Sequence, residues 1–449
     1  MSVQRQTWQQ LSSAGAFMVP ALALWLPSGY SWGALLLLLC ALASAPQWLG
    51  RPVARSTWWL VASVLCMLAI ALLDVGIPWE LGRFDKPGKY LLALPCIFCL
   101  QAFPPDPAWL WRGVFAGACG SGLIALYQTL VQALPRATGY TNAIQYGNLS
   151  LLLGLMCAAV LLAHWGRWHA GQRLGWVVAL LLGCLGSLLS ESRGGWLALV
   201  LVLPVGAWLL RRRSQRRLVL RSAAAVALVL AALLAFKGAE LQQRLDKGYS
   251  EALSYQHNGD ASTSVGHRLE HWRMAWDMAQ QRPWLGWGRS GYEQEKARRV
   301  AAGLVQASVL QYHHAHNELL DLLVKHGLLG IGALAGFYGV PLWLFWPRQR
   351  RLLDTAGHLD RTALALCLVG VLLPLSYFAF GWTQVFLAHN SGNMFYLFMC
   401  LLVHAALQAR LQPQVAHTSV PAAPAGPAAP AGPAAAAAHT FSKQPSKAS

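Results

Sequence analysis

Apolar runs long enough to cross a bilayer recur along the whole chain, and they constrain its fold more than any other feature. A run of about 20 apolar residues spans the hydrocarbon core as an α-helix. Charged residues make up only 12% of the 449 residues, about half the fraction found in ordinary soluble domains. The alternating segments of about ten residues that mark a membrane β-barrel do not occur. The sequence therefore predicts an all-α polytopic integral membrane protein.

The apolar runs predict about 12 transmembrane helices. Residues 1–236 are predicted to hold helices 1–9, and residues 314–408 to hold helices 10–12. Between them, residues 237–313 are predicted to form one large, partly helical loop, and loops of that length are usually functional. The Pro/Ala-rich tail 409–449 cannot build a core and is predicted to be disordered. The spans are predicted near residues 12–27, 32–49, 57–78, 88–105, 108–134, 146–164, 174–191, 194–210, 218–236, 318–346, 362–380 and 391–408.

Basic residues, which give the chain a net charge of +18, lie mainly in alternate short loops. Cytoplasmic loops of membrane proteins carry an excess of Lys and Arg, so these loops are assigned to the cytoplasm. This pattern accounts for the charge without nucleic acid, which we exclude as a partner. Both termini are then cytoplasmic, and the loop 237–313 faces outward. The basic loops contain Arg51 and Arg55, Arg167 and Arg173, residues 211–217 and residues 348–351.

Residues 311–330 combine the start of a membrane helix with polar side chains that lipid should exclude. Wound as a helix, they place five polar side chains on one stripe, because these recur at steps of three and four residues. Charged groups at membrane depth normally face a bundle interior or an aqueous cavity. Asp321 and Lys325 could instead serve only to pin helix packing. The stripe consists of His314, Asn317, Glu318, Asp321 and Lys325.

The three histidines His313, His314 and His316 invite a metal site, because an HxH pair can bind zinc. No further ligand motif lies nearby, so we predict no metal there. The chain has no Walker loop and no dinucleotide-binding glycine motif, so we predict no cofactor. It also lacks a DxD motif that would hold a divalent ion on a diphosphate. A phosphorylated donor is therefore expected to meet arginines.

Several arginines lie in loops assigned to the outside, against the positive-inside bias. Such a group indicates an anionic ligand, because the planar guanidinium donates two parallel hydrogen bonds to phosphate. Arg193 could also simply extend to the membrane surface. Tyr140, near Arg136, and Arg289, in the large loop, are further expected substrate contacts. The outward arginines are Arg83, Arg136, Arg193 and Arg268.

These residues give the chain a resemblance to the bacterial O-antigen ligase family, within the superfamily shared with O-antigen polymerases and protein O-oligosaccharyltransferases. The motifs that carry it are HAHNELLDLLVKHGLLG at 314–330, SESRGGW at 190–196 and HRLEHWRMAWDMAQQRPWLGWG at 267–288. Their order, and the large loop before the His-Asn motif, are also similar to the family. The resemblance covers roughly residues 80–408.

The resemblance implies a glycosyltransferase at the periplasmic face of the bacterial inner membrane. It implies transfer of a glycan from undecaprenyl diphosphate to a sugar of the lipid A–core oligosaccharide, in lipopolysaccharide biosynthesis. The family's arginines correspond to Arg193 and Arg268, and its histidine corresponds to His316 as general base. His313 or His314 could hold that role instead, since three histidines crowd this motif. Arg136 is expected to bind substrate, while Asn317 or Glu318 could orient the imidazole or the acceptor.

Other functions stay open at this level. An O-antigen polymerase or a protein O-oligosaccharyltransferase would use the same chemistry on a different acceptor. A proton-coupled transporter would place charges deep in several spans, whereas the polar groups here crowd at one face. A non-enzymatic membrane scaffold would give no reason for outward arginines beside histidines.

Overall fold

The computed structural model describes residues 3–75, 81–192, 194–211, 242–243, 246–348, 351–354 and 356–418. These residues are almost entirely helical, with one isolated antiparallel bridge between Leu353 and Leu359 and no strand among them. The all-α prediction is thereby confirmed. The helices are α1 (Val3–Leu22), α2 (Gly29–Ala43), α3 (Ala45–Trp48), α4 (Arg55–Leu73), α5 (Asp85–Ala102), α6 (Pro107–Leu126), α7 (Ala143–His164), α8 (Ala170–Leu189), α9 (Leu197–Arg211), α10 (246–258), α11 (Ser264–Gln281), α12 (Gly288–Ala301), α13 (Glu318–Phe345), α14 (Arg361–Gly381) and α15 (Asn390–Thr418).

Seven of the described helices are long and apolar enough to cross a membrane: α4, α6 with its π-helical extension to Val131, α7, α8, α13, α14 and α15. Gly29–Ala43 and Gly194–Gly206 are shorter apolar helices. The predicted count of 12 stays a prediction. The predicted span 88–105 corresponds to α5, which is not one of the seven. The reason is that α5 begins with Asp85, Lys86 and Lys89 and is too polar at that end. The predicted span 218–236 lies outside the described residues.

Two helices form the centre of the bundle. In α7 and α14, 89% of the most apolar stretch is buried inside the protein, against 22% in α8. A helix that is apolar on every side must be surrounded, because it offers no polar face to water. α7 packs against α8, α6 and α14, while α13 packs against α4 and α14. The outer helices therefore meet lipid, and the central pair fixes their positions.

The helices α13, α14 and α15 define two ends of the bundle. At the α13 end, where α13 begins, the Asn317 side chain donates to the Trp382 carbonyl just after α14 (3.3 Å), and the Leu387 N–H just before α15 donates to Glu318 (3.0 Å). At the opposite end, Arg410 of α15 reaches Asp360 at the start of α14 (2.8 Å). Loops at the α13 end can therefore meet in space although they are distant in sequence.

A break at Gly327 divides α13 into two parts. Gly327 has φ 60° and ψ −155°, a combination that is essentially restricted to glycine. The turn before α12 inserts there: the Leu328 N–H donates to the Pro283 carbonyl (2.8 Å), and the Trp287 N–H donates to the Val324 carbonyl (2.9 Å). The backbone groups released by the break are thus satisfied by the PWLGWG turn.

The part of α13 after the break is sufficient to cross a bilayer alone. Residues 328–345 extend for about 27 Å at the helical rise, close to the hydrocarbon thickness of about 30 Å. The part before the break, residues 318–326, holds Glu318, Asp321 and Lys325 of the predicted polar stripe. The prediction that His314 and Asn317 continue this helix is wrong, because Asn317 caps α13 and His314 lies in the loop before it. The break therefore separates a polar anchoring segment from an apolar span.

Candidate active site

Five histidine rings gather at the α13 end of the bundle. The ring centroids of His314 and His316 are 4.4 Å apart, and His271 of α11 lies 6.4 Å from His316. His267, one turn before His271, is 4.9 Å from it. His389, just before α15, lies 5.9 Å from His314. We call these five residues the histidine cluster.

The loop 312–317 that carries two of these rings is held by the polar stripe of α13. Asp321 accepts the Ala315 N–H (3.1 Å) and pairs with Lys325 (2.8 Å). Lys325 in turn donates to the His313 carbonyl (2.9 Å), and the indole of Trp272 donates to the Ala315 carbonyl (2.9 Å). Asp321 and Lys325 thus anchor the histidine loop, beyond any part in helix packing.

His316 is held in an unusual backbone conformation. Its φ is +53°, in the left-handed region that non-glycine residues rarely adopt. Strained residues of this kind persist where the surrounding structure fixes them, and they concentrate at functional sites. Here the contacts of Ala315 on one side and the helix cap of Asn317 on the other hold the position.

The imidazoles of His271 and His316 are buried and uncharged at neutral pH. Burial, with repulsion from His314 and Arg268, lowers the pKa of His316 to about 3. Burial, with repulsion from His267 and Lys296, lowers the pKa of His271 to about 3 as well. The ring nitrogens of His271 and His316 are buried and make no hydrogen bond of good geometry among the described residues. The side chain of Gln384 lies beside the His316 ring as a polar neighbour.

Arg268 brings a positive charge beside these neutral rings. It follows His267 on α11 and is partly buried, which lowers the pKa of its guanidinium. Within the part of the chain that the structure describes, that guanidinium makes no hydrogen bond and no ion pair. Its charge acts on His316 strongly enough to lower the pKa of that ring. An uncommitted, partly desolvated arginine next to neutral imidazoles is suited to binding an anion.

A family comparison agrees with this arrangement. Residues 177–335 match the family model described as O-antigen ligase. This segment of the chain is similar to the O-antigen ligase family. The matched segment contains Arg268, His314 and His316 together with the anchoring pair of α13.

A relative extends the similarity beyond that segment. An uncharacterized protein of Haemophilus influenzae is 26% identical over 347 residues, which cover 77% of this chain and 85% of the relative. This second protein brings no assigned activity. The functional interpretation of this protein therefore rests on its own residues.

The three predicted histidines of the family motif occupy different environments. The side chain of His313 is 76% exposed and pairs with Glu293 (3.2 Å), outside the cluster. His314 is partly buried, and burial lowers its pKa. His316 is 8% exposed, and the charge of Arg268 acts on its ring. The geometry thus favours His316 over His313 for chemistry in a desolvated site.

Asn317 and Glu318 are bonded to the protein backbone. The Asn317 side chain caps α13 by accepting the Leu320 N–H (3.1 Å), and its amide group donates to the Trp382 carbonyl. Glu318 is buried and accepts the Leu387 N–H. Both residues therefore fix the loop 382–389, which carries His389, while their predicted role as substrate contacts stays a prediction.

The second arginine region lies beside the same loop. Arg136 donates to the Ser190 carbonyl (3.0 Å), and Ser192 donates to the Asn148 side chain (3.1 Å). Gly194 lies so close to Thr383 that an added Cβ would be 2.1 Å from its hydroxyl oxygen. The turn before and after position 193 is thus packed between α7 and the loop after α14. Arg193 itself lies outside the described residues.

Two predicted contacts are not brought to the cluster. Tyr140 is 51% exposed, and its N–H donates to the Leu24 carbonyl. Arg289 is exposed at the start of α12, where its N–H donates to Asp74 (3.2 Å). Asp74 also pairs with His326 beside the α13 break. Their predicted role in substrate binding stays a prediction.

Residues that the sequence interpretation did not single out complete the cluster. His267 and His271 flank Arg268 with helical spacing on α11, and that spacing was a usable signal. His389 gave no local signal, because only the tertiary fold brings it to His314. Among the described residues, no three His, Cys, Asp or Glu side chains are arranged to hold a metal ion, the histidine cluster included.

Proposed function

We propose that this membrane protein is an O-antigen ligase, which transfers a glycan from undecaprenyl diphosphate to a sugar hydroxyl of the lipid A–core oligosaccharide. The observation that carries the proposal is the neutral, buried ring of His316 beside the uncommitted guanidinium of Arg268. The match of residues 177–335 to the O-antigen ligase family model supports it. The proposed site faces the periplasm, the loop 237–313 is periplasmic, and both termini are cytoplasmic.

Arg268 is the proposed binding group for the donor's diphosphate, together with Arg193 from the 190–196 turn and with support from Arg136. When the acceptor oxygen attacks the anomeric carbon, the bond from that carbon to the phosphate oxygen breaks. Negative charge then grows on the leaving diphosphate. A guanidinium already placed in a partly desolvated site stabilises that charge without reorganisation.

His316 is the proposed general base, which takes the proton of the attacking hydroxyl. The proton moves to a ring nitrogen, the new glycosidic bond forms, and undecaprenyl diphosphate leaves. Burial lowers the pKa of His316 most, and repulsion from His314 and Arg268 lowers it further, so a diphosphate bound at Arg268 would offset the contribution of that guanidinium. Donor binding would therefore convert a weak base into a stronger one before the acceptor reacts.

The test is transfer by the purified protein in proteoliposomes, with a diphosphate-linked glycan donor and lipid A–core, in the presence and absence of a chelator. We expect His316→Ala, Arg268→Ala and Arg193→Ala each to lose most of the turnover, and the chelator to have no effect. His313→Ala is the matched control, because this ring is exposed and outside the cluster. General bases contribute about 10²–10⁴-fold to rate, so a loss of that size is expected for His316→Ala.

Near-full turnover in His316→Ala would contradict the base assignment. A product that contains only lengthened donor chains would assign the protein to the O-antigen polymerases instead. Transfer to a protein acceptor in place of lipid A–core would assign it to the protein O-oligosaccharyltransferases.

A further inference from the structure

A small cleft opens at the end of the bundle opposite the histidine cluster. It has a volume of about 100 Å³, which is room for several water molecules. It lies where α7 ends, α14 begins and the last turns of α15 pass. The lining residues are His164, Arg167, Asp354, Leu359, Asp360, Arg361, Thr362 and Arg410.

Both carboxylates of the cleft already have partners. Asp360 receives two hydrogen bonds from Arg410 (3.1 and 2.8 Å) and caps α14 by accepting the Ala363 N–H (3.0 Å). Asp354 accepts the N–H groups of Ala356 and His358 (2.9 and 2.8 Å). The negative charges of the cleft are thus compensated by Arg410 and by backbone amides.

Two arginines of the cleft are left without a carboxylate. Arg361 donates only to the Ala163 carbonyl (3.3 Å), and Arg167 is exposed. Across the described residues, the Arg167 guanidinium forms no hydrogen bond or ion pair. Two forked donors in one cleft, with the nearby carboxylates already paired, match the geometry of a phosphate group.

We propose that this cleft binds the phosphate of an anionic phospholipid headgroup. Its walls are the ends of three membrane-spanning helices, so it lies at the surface of the leaflet on that side. Basic pockets between such helices are suited to anionic headgroups. The site is separate from the proposed transfer reaction, and it would anchor the ends of α7 and α14 to the lipid surface.

The test is lipid binding by the purified full-length protein in detergent, measured by native mass spectrometry with phosphatidylglycerol, phosphatidylcholine or inorganic phosphate. We expect phosphatidylglycerol to bind more tightly than phosphatidylcholine. Arg167→Gln and Arg361→Gln should each weaken it about fivefold, from roughly 1 kcal/mol per arginine near an anionic lipid surface. Arg167→Gln is decisive, because that side chain makes no bond within the described residues and its loss should not disturb folding.

The matched control is Arg112→Gln. Arg112 is exposed near the start of α6, at the same end of the bundle but outside the cleft, where it packs over Trp109. Equal affinity of phosphatidylglycerol for the control and for Arg167→Gln would overturn the proposal. Equal affinity of phosphatidylglycerol and phosphatidylcholine would overturn it too. Binding of inorganic phosphate as tight as that of phosphatidylglycerol would assign the cleft to a soluble anion and contradict the lipid source.

Discussion

Replacing Gly327 by alanine should detach the PWLGWG turn from α13. Gly327 has φ 60° and ψ −155°, where an L side chain is strained whatever space surrounds it. The space is also filled, since an added Cβ would lie 2.3 Å from the Trp284 carbonyl carbon and 2.5 Å from the Pro283 oxygen. These neighbours are backbone atoms, so they cannot move aside by a change of side-chain rotamer.

The expected cost follows from two contributions. The backbone strain costs about 1–3 kcal/mol. Moving the turn away removes the hydrogen bonds of Leu328 and Trp287, each worth about 1 kcal/mol. The local stability of this junction should therefore fall by about 3–5 kcal/mol, which corresponds to a rise in local opening of about a hundredfold or more.

Hydrogen–deuterium exchange by mass spectrometry measures this directly. Peptides that contain the amides of Trp287 and Leu328 should lose their protection in Gly327→Ala, while peptides from the centre of α14 should not change. The matched control is Gly332→Ala in the same helix, because an added Cβ at Gly332 meets nothing within 4 Å. That control should leave exchange at the junction unaltered, since alanine is the better helix former.

Transfer activity should fall with the loss of protection. The turn bonds to Val324, next to Lys325, whose ammonium holds the His313 carbonyl. Displacing the turn should therefore loosen the histidine loop. Unchanged protection at Trp287 and Leu328 in Gly327→Ala would refute the account of the break, and full activity with lost protection would refute its coupling to the site.

Three further outcomes are expected. Asp321→Asn should destabilise the fold by about 3–5 kcal/mol, because it leaves Lys325 buried without its counter-ion. The double variant Asp321→Leu with Lys325→Met should recover thermal stability but not turnover. Recovered turnover would contradict the anchoring role. Asn317→Ala should lower the free energy of unfolding by about 1 kcal/mol through loss of the helix cap, whereas Asn317→Asp should keep the cap and most of the turnover. A large loss of turnover in Asn317→Asp would indicate that Asn317 contacts the substrate instead. The thermal midpoint should fall as pH falls from about 6.5 towards about 3, because the unfolded chain protonates His271 and His316 in that window and the native protein does not. His271→Leu should reduce this dependence, with His316 supplying the remainder. A wild-type midpoint that is constant from pH 7 to pH 4 would contradict the prediction.

The helical pattern of the sequence was sufficient to predict a polar face on α13. Asp321 and Lys325 are four residues apart, so their pairing follows from helix geometry alone. The position of the loop that they hold did not follow, because the loop 312–317 folds back over them through contacts with α11 and α12. Local spacing therefore predicted the ion pair, whereas its contacts with the loop 312–317 depend on the tertiary fold.

The remaining features depend on approaches between distant segments. His389 and His314 meet only because α13 and α15 begin at one end of the bundle. Likewise, the sequence around Gly286 does not indicate that the α13 backbone at Lys325 lies against it. The sequence around Gly327 does not indicate that the backbone of Trp284 lies against it. Periodicity reports which face of a helix is apolar, and it holds no information about which loop covers a helix end.

The histidine cluster also has a consequence for biogenesis. His267 and His389 are 122 residues apart in the chain, so a ribosome working at about 5–20 residues per second needs roughly 6–24 s to make the second after the first. Throughout that interval α11 with Arg268 has been synthesised without His389. A nascent chain that stops before residue 389 would thus contain Arg268 and four of the five imidazoles, without the segment that completes the cluster.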